Sequence, residues 1–207
     1  MPIEKLNLVK ELKEYYKAEE EPKIVDLKEG KYLVIEGRGS PKSAEFQEKV
    51  KALFSVTYAV KSLYKKQGRD FKVPKLEGSW WVETGKPFEE SSEEEWVWKL
   101  MIRVPDYIET EKVEEAKDKV VKKKGLDIAS NVRLETIKWG KCVQVLHVGP
   151  YSEETKSVAK IKRYAEKRGF KLIGPHHEIY ISDPRKTPPE KLKTIIRYRV
   201  ESHNVAF

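Results

Sequence analysis

The order of secondary-structure signals in the first half of this chain returns in its second half. In each half a β-rich run leads into a long helical pattern that ends at a glycine, Gly68 or Gly169, and two more strand candidates follow. The strand candidates are 31–36, 75–84 and 94–104 in the first half and 142–148, 171–182 and 194–200 in the second. A β-α-β-β unit used twice predicts an α+β fold of antiparallel sheets with helices on one face. It also predicts a ligand groove at the pseudo-twofold interface, because grooves between half-domains commonly bind ligands.

Helix starts and ends can be placed from capping residues. Ser40 before Pro41 predicts the start of the first long helix, because a serine side chain caps a helix and proline fits its first turn. The segment 111–124 is acidic at its start and basic at its end, and Gly125 follows it, so it predicts another helix. A further strand candidate, 134–137, precedes the turn before 142–148.

These elements define the predicted domain organisation. The charged segment 1–22 carries apolar residues at helical spacing and is predicted to form an N-terminal helical segment. The main domain is predicted over 23–207, with one repeat at about 31–105 and the other at about 111–200.

The composition fits a folded protein that does not bind nucleic acid directly. Charged residues make up 37% of the chain, but five Trp, ten Tyr and six Phe supply large apolar surfaces for a core. The net charge of +8 results from 42 basic residues interspersed with 34 acidic ones, which is typical of a solvated surface. This pattern does not favour direct DNA binding.

The single cysteine and the apolar pattern limit the cellular setting. Cys142 has no second cysteine with which to form a disulfide or a cysteine metal cluster. The start of the sequence lacks the apolar core of a signal peptide, and no apolar run approaches the ~20 residues that cross a bilayer. We therefore expect a cytoplasmic protein without a membrane partner.

A carboxylate and a phenol share one face of a late strand. In the run 178–181, Ile179 and Ile181 point to one side, and Glu178 and Tyr180 point to the other. If the isoleucines face the helices, Glu178 and Tyr180 face the groove, where a buried carboxylate can bind a cation or act as a general base. The alternative is an exposed strand face on which Glu178 forms a surface ion pair.

Four tryptophans lie on two neighbouring strand candidates. Trp80 and Trp81 must face opposite sides of one strand, so one of them is expected to face the groove, while Trp96 and Trp98 share one face of the next strand. An indole in a groove would stack on flat aromatic or cationic ligands. The alternative is core packing, which we expect for at least two of the four. Glu83 follows closely and is a candidate second carboxylate.

The pair His176 and His177 does not predict a metal site. Adjacent side chains on a strand point to opposite faces, so the two imidazoles cannot readily bind one ion. The chain also lacks a complete glycine-rich phosphate-binding motif. We expect neither a metal nor another cofactor.

The segment Gly174–Thr194, which begins Gly-Pro-His-His-Glu-Ile-Tyr-Ile-Ser-Asp-Pro, resembles the C-terminal signature of stand-alone GyrI-like proteins. The segments Leu76–Trp81 and Lys31–Ser40 also resemble that family, and the resemblance runs from about residue 20 to the end. It implies the duplicated fold of the effector-binding domains of multidrug-responsive transcription regulators.

In those domains a buried glutamate meets cationic aromatic drugs, and Glu178 matches its position. Stand-alone members are hydrolases of cyclopropanoid DNA-alkylating compounds, so the resemblance implies that Glu178 orients or deprotonates water while Tyr180 and a tryptophan hold the planar substrate. The predicted catalytic residues are therefore Glu178 and Tyr180, and the predicted ligand-binding residues are Trp80, Trp81, Glu83, Trp98 and His176.

Three functions remain open from the sequence. The first is hydrolysis of a cyclopropanoid xenobiotic. The second is a sink or sensor that binds a small aromatic or cationic molecule without changing it. The third is interaction with a protein partner, as in gyrase-inhibiting relatives. The sequence does not separate these functions, and it does not indicate an oligomeric state.

Overall fold

The computed structural model describes residues 5–86 and 88–203. In chain order its strands and longer helices are β1 (Lys5–Leu6), α1 (Leu8–Glu11), α2 (Lys13–Tyr16), β2 (Lys23–Leu27), β3 (Gly30–Arg38), α3 (Ala44–Lys65), β4 (Asp70–Phe71), β5 (Leu76–Val82), β6 (Trp96–Val104), α4 (Thr110–Lys124), β7 (Arg133–Ile137), β8 (Gly140–Val148), α5 (Glu154–Glu166), β9 (Phe170–Tyr180) and β10 (Lys193–Ser202). Short 3₁₀ turns lie at Phe88–Glu90, Glu93–Glu95, Asp127–Asn131, Tyr151–Glu153 and Pro189–Lys191. The chain is therefore α+β, as predicted.

Contacts between residues divide the chain into two compact units. Unit 1 is Gly30–Ile137 with the segment before residue 12, and unit 2 is Leu12–Glu29 with Lys138 onward. This division differs from the order of the repeats in the sequence, because α4 and β7 belong to unit 1. Residues 1–4 of the predicted N-terminal segment and 204–207 of the predicted domain lie outside the described residues.

Unit 1 contains a four-stranded antiparallel sheet in the order β5-β6-β3-β7. Alternate residues of β6, among them Trp98, Leu100 and Ile102, share a core with apolar residues of α3 and α4. The helix α4 ends at Gly125, whose φ of 59° provides the left-handed conformation common after a helix. The start of α3 differs from the prediction, because Ser43 rather than Ser40 accepts the capping hydrogen bond, from the Phe46 N–H at 3.1 Å.

Unit 2 contains four antiparallel sheet strands in the order β2-β8-β10-β9. Val143 and Val145 of β8 and Ile196 of β10 pack against Val158 and Ile161 of α5. The helix α5 therefore covers one face of this sheet, and alternate residues of each strand face it.

Each sheet takes an edge strand from the other half of the sequence. The strand β2 precedes β3 in the chain but pairs with β8, whereas β7 precedes β8 but pairs with β3. The strand β2 was not predicted from the sequence, because it has only five residues, two of them charged, and little apolar pattern.

The N-terminal segment forms two four-residue helices rather than the single helix predicted, with a break at Leu12. Its second part is held within unit 2 by a fully buried arginine. Arg197 Nε and Nη2 donate to Gln144 Oε1 at 3.0 and 2.7 Å, and Nη2 also donates to the Tyr15 carbonyl at 2.6 Å. The guanidinium lies over the Tyr15 ring at 4.2 Å from its centroid. These contacts are on the face of β10 opposite Ile196.

Candidate functional site

Glu178 lies on the face of the unit 2 sheet that carries α5. It pairs directly with Ile196, whose side chain packs against α5, and directly paired residues of neighbouring strands share a face. The strand therefore has the reverse of the orientation considered from the sequence, in which Ile179 would face the helix and Glu178 the groove. Glu178 is consequently buried beside the beginning of α5.

Glu178 belongs to a cluster of three titratable side chains. His176, two residues earlier on the same face of β9, places Nε2 2.9 Å from Glu178 Oε1 and 3.4 Å from Oε2 of Glu154, the first residue of α5. The other ring nitrogen, Nδ1, lies 2.7 Å from the Tyr198 hydroxyl. Both nitrogens of His176 are thus engaged, and the imidazole lies between two buried carboxyl groups.

The two carboxyl groups differ in their tendency to hold a proton. Burial raises the pKa of Glu154 to about 8, and the nearby charge of Glu178 adds to this rise. Burial acts to raise the pKa of Glu178 as well, but hydrogen bonds from His176, Glu154 and Tyr180 hold it below its ordinary value. The opposite directions of these two shifts favour the proton on Glu154 and the negative charge on Glu178.

His176 is held in its charged form by the same neighbours. Burial acts to lower its pKa, but hydrogen bonds with Glu154 and Glu178 raise the pKa to about 10. An imidazolium, a carboxylate and a neutral carboxylic acid have no net charge together, which makes their burial tolerable.

Two tyrosines lie at the outer side of this cluster. Tyr180 shares the face of Glu178, and its ring meets that of Tyr151 edge-on with 6.0 Å between centroids. Tyr151 is 40% exposed, whereas Glu154 and Glu178 are buried. Burial raises the pKa of Tyr151 to about 12, and the charges of Glu178 and Glu154 contribute to this rise.

A second polar group on the same face includes a histidine and a serine. Thr194 pairs with Tyr180 on one side and with His147 on the other. His147 Nε2 lies 3.0 Å from the Pro150 carbonyl, which can only accept a hydrogen bond, and Nδ1 lies 2.9 Å from Ser157 Oγ on α5. These contacts fix the orientation of the imidazole.

The predicted residues of the first half lie in unit 1. Trp98 is fully buried and Trp80 nearly so, and both pack against Phe46 of α3. They form part of the core, as expected for at least two of the four tryptophans. Trp81 is half-buried and faces away from Trp80, and the half-exposed Glu83 accepts a hydrogen bond from Arg38 Nη2 at 2.7 Å.

Among the described residues, one group of three side chains could hold a metal ion. Glu154, His176 and Glu178 each offer one ligand atom, and these atoms lie within 4.8 Å of one another. His177 lies outside the group and packs against Trp139, 4.4 Å between ring centroids. The pKa values of Glu154 and His176 are raised, so both residues would have to release a proton to bind an ion. The absence of a cofactor stays a prediction.

A surface cleft of about 540 Å³ lies elsewhere, in unit 1. Its lining is polar and contains none of the predicted site residues: Glu36, Glu114, Lys117, Ser130, Asn131 and Arg133. This lining lacks the apolar and aromatic surface typical of small-molecule sites. The cluster around Glu178 is therefore the better candidate.

Sequence reasoning placed Glu178, Tyr180 and His176 together but missed Glu154. An acidic residue in the first turn of a helix is ordinarily explained by the helix dipole, so Glu154 gave no signal of its own. Tyr198 could have been found, because alternation places it on the same face as Ile196.

The sequence matches the family described as the GyrI-like small molecule binding domain over residues 20–201. An uncharacterized conserved protein from Listeria innocua is 37% identical, with a TM-score of 0.89, and the match covers 95% of this chain and 100% of that one. A hydrolase from the same organism is 36% identical, with a TM-score of 0.84 and the same coverage. No curated protein shows significant similarity to the chain.

A more distant match is limited to the fold. The C-terminal domain of EcmrR is 14% identical with a TM-score of 0.60, covering 88% of this chain and 98% of that domain.

Within the described residues, no helix has the length and apolar character needed to cross a membrane.

Proposed function

We propose that this chain, which belongs to the GyrI-like small molecule binding domain family, binds flat aromatic compounds beside Glu178. We also propose that it hydrolyses cyclopropanoid compounds there. The observation that carries this proposal is the buried cluster in which His176 Nε2 lies 2.9 Å from Glu178 Oε1 and 3.4 Å from Glu154 Oε2, with the pKa of Glu154 raised by burial and that of Glu178 held low by hydrogen bonds. A site with one proton donor and one proton acceptor suits a hydrolysis in which a proton leaves water and another reaches the leaving atom.

Each of the two carboxyl groups has one role in the reaction. Glu178 accepts a proton from water as the water oxygen forms a bond to a cyclopropane carbon. A ring C–C bond breaks, and its electron pair passes into the conjugated ring system and onto a carbonyl oxygen, which takes the proton of Glu154. The product is a ring-opened alcohol with the elements of one water added.

His176 completes the cycle. After the reaction Glu178 holds a proton and Glu154 lacks one, which is the reverse of the starting state. His176 Nε2 lies 2.9 Å from Glu178 and 3.4 Å from Glu154, so the imidazolium can give its proton to Glu154 and take the one on Glu178. The site is then ready for another turnover.

The two tyrosines would hold the planar part of the substrate. Tyr151 is exposed at its outer side, and Tyr180 lies between it and Glu178, so a flat ring can stack there while its reactive carbon reaches the carboxylate. The same arrangement would bind an aromatic cation, because the Glu178 carboxylate supplies the opposite charge. Two similar structures from Listeria innocua, each 36% identical to this chain, are described as hydrolases, which supports the proposed hydrolysis.

The test is to incubate the protein with a cyclopropanoid alkylating compound and follow the small molecule by mass spectrometry. We expect a water adduct in many-fold excess over protein, and a loss of at least ~100-fold in kcat/KM for Glu178→Gln, which removes the base at nearly constant shape. The matched control is Glu153→Gln, an exposed glutamate of the preceding turn that pairs with Lys156 and should leave turnover unchanged.

Two results would contradict the proposal in different ways. Full turnover by Glu178→Gln would remove Glu178 from the role of base. Intact compound retained by the wild-type protein would instead show a binding module without hydrolysis, which is the alternative function left open by the sequence.

A further inference from the structure

One buried oxygen atom in the site has no hydrogen-bond partner within the described chain. Thr194 Oγ1 is shielded from solvent, with the residue as a whole 1% exposed, and no donor or acceptor among residues 5–86 and 88–203 reaches it. A buried hydroxyl left without a partner costs about 1–3 kcal/mol. Such a group is expected to meet a polar atom that is not part of the protein.

The neighbours of Thr194 are unable to supply that atom. His147, on one side, already engages both ring nitrogens, with Ser157 and Pro150. Tyr180, on the other side, donates to Glu178. Thr194 is therefore paired between His147 and Tyr180 on the face that carries Glu178, and the hydrogen bonds of these two neighbours are directed elsewhere.

The corresponding position of unit 1 is filled. There the same row of three paired residues is Gly37, Trp98 and Trp80, and the Trp98 indole covers Gly37 so closely that a Cβ at Gly37 would lie 2.2 Å from it. In unit 2 the central residue of the row is the much smaller Thr194. The large aromatic side chain that fills the row in unit 1 is thus replaced by a small side chain with a hydroxyl.

A second unpartnered oxygen lies on the same face. Glu154 Oε1 is also buried without a hydrogen-bond partner among the described residues, whereas Oε2 faces His176. Two unsatisfied polar atoms on the face of the sheet that carries Glu178 indicate that the ligand of this site carries polar atoms of its own.

We propose that the Thr194 hydroxyl donates a hydrogen bond to a ring-attached carbonyl oxygen of the bound aromatic compound and so selects ketone-bearing ligands over hydrocarbon ones of the same shape. This inference rests on the proposed function in one respect, namely that the ligand is a flat aromatic compound bound at this site. It does not require that the compound be hydrolysed. It assigns to Thr194 a role in specificity.

The test uses two flat compounds that differ in a single group, 9-fluorenone with a ketone and fluorene with a methylene in its place. Binding of each is measured by equilibrium dialysis, with wild-type protein, Thr194→Val and Thr194→Ser. Valine keeps the branched shape and removes the hydroxyl, whereas serine keeps the hydroxyl. We expect Thr194→Val to weaken fluorenone binding about five- to tenfold and leave fluorene binding unchanged, with Thr194→Ser close to wild type.

The ratio of the two affinities separates loss of the Thr194 hydrogen bond from loss of protein stability, because a loosened site would weaken the binding of both compounds alike. Equal loss for both compounds in Thr194→Val would overturn the inference, as would unchanged fluorenone binding or failure of the wild-type protein to bind fluorenone. The proposed hydrolysis has its own test in the water adduct. A protein that hydrolyses its substrate with an unchanged affinity ratio would refute the role of Thr194 alone.

Discussion

Replacing Glu154 by glutamine tests the protonation of the buried carboxyl pair, because glutamine has nearly the shape of a protonated glutamate and cannot ionise. Burial raises the pKa of Glu154 to about 8 in the folded protein, from an ordinary value of 4.5. Between these pH values the folded protein holds a proton that the unfolded chain has released. The free energy of unfolding of the wild-type protein therefore falls as the pH rises, by about 1.4 kcal/mol per pH unit.

The size of the effect follows from that slope. Between pH 4.5 and 7 the wild-type protein should lose ~3 kcal/mol relative to Glu154→Gln, and by pH 8 the loss should reach ~4 kcal/mol, because the slope levels off as the pH approaches the folded pKa. His176 and Glu178 are present in both proteins, so the difference between the two curves reports mainly on Glu154. Because glutamine can donate to Glu178 as the carboxylic acid does, the variant should be the more stable protein at pH 8.

The assay is urea unfolding of both proteins at pH 5, 6, 7 and 8, followed by tryptophan fluorescence. Glu178→Gln provides a contrast, because the pH dependence that Glu178 contributes has the opposite sign and lies below its ordinary pKa of 4.5, outside this pH range. The pKa of Glu178 is lowered, so its contribution to stability is present above its ordinary value and is lost as the pH falls through the folded pKa. Parallel curves for wild type and Glu154→Gln from pH 5 to 8 would refute the reasoning, because Glu154 would then ionise in the folded state as it does in the unfolded chain.

Two further predictions concern the cores of the units. Gly37→Ala should destabilise the protein by ~2–3 kcal/mol in urea unfolding, because the new Cβ would lie 2.2 Å from the fully buried Trp98. Adding Trp98→Leu should recover part of the lost stability. An unchanged urea midpoint for Gly37→Ala would contradict the close packing of Trp98 on Gly37. Arg197→Met should cost at least ~3 kcal/mol by the same assay, because Gln144 Oε1 and the Tyr15 carbonyl would lose their donor in the interior; a change below ~1 kcal/mol would show that these contacts contribute little.

The sequence predicted the alternation of side chains along each strand but not the side on which the helix lies. Period two correctly separated Glu178 and Tyr180 from Ile179. It carries no information on which of the two faces receives α5, and here the charged face received it. The reason is partly tertiary, since the burial of Glu178 is made tolerable by Glu154 of α5, which is distant in sequence, together with His176, two residues earlier on the same strand.

Boundaries that depend on single hydrogen bonds were also beyond the sequence. Ser40 and Ser43 are equally good capping residues by type, and the structure uses Ser43. Ser40 instead hydrogen-bonds Glu93 and accepts from the Lys42 N–H. The contact with Glu93 joins residues 53 positions apart, so no local pattern could have indicated it.

The two units share one arrangement of strands and helices but differ in the side chains at a few paired strand positions. In unit 1 the residue that pairs with Leu100 on the helix-bearing face is Gly78, and the adjacent row is closed by Trp80 and Trp98 packed on Phe46. In unit 2 the matching positions hold Glu178, Tyr180 and Thr194. The aromatic row of unit 1 stabilises its core through apolar burial, whereas the row of unit 2 gives up that stabilisation and leaves polar atoms unsatisfied. Loss of packing at one of two equivalent positions has a physical reason if a ligand completes it, and this supports the proposed binding site in unit 2 on grounds independent of the titratable groups.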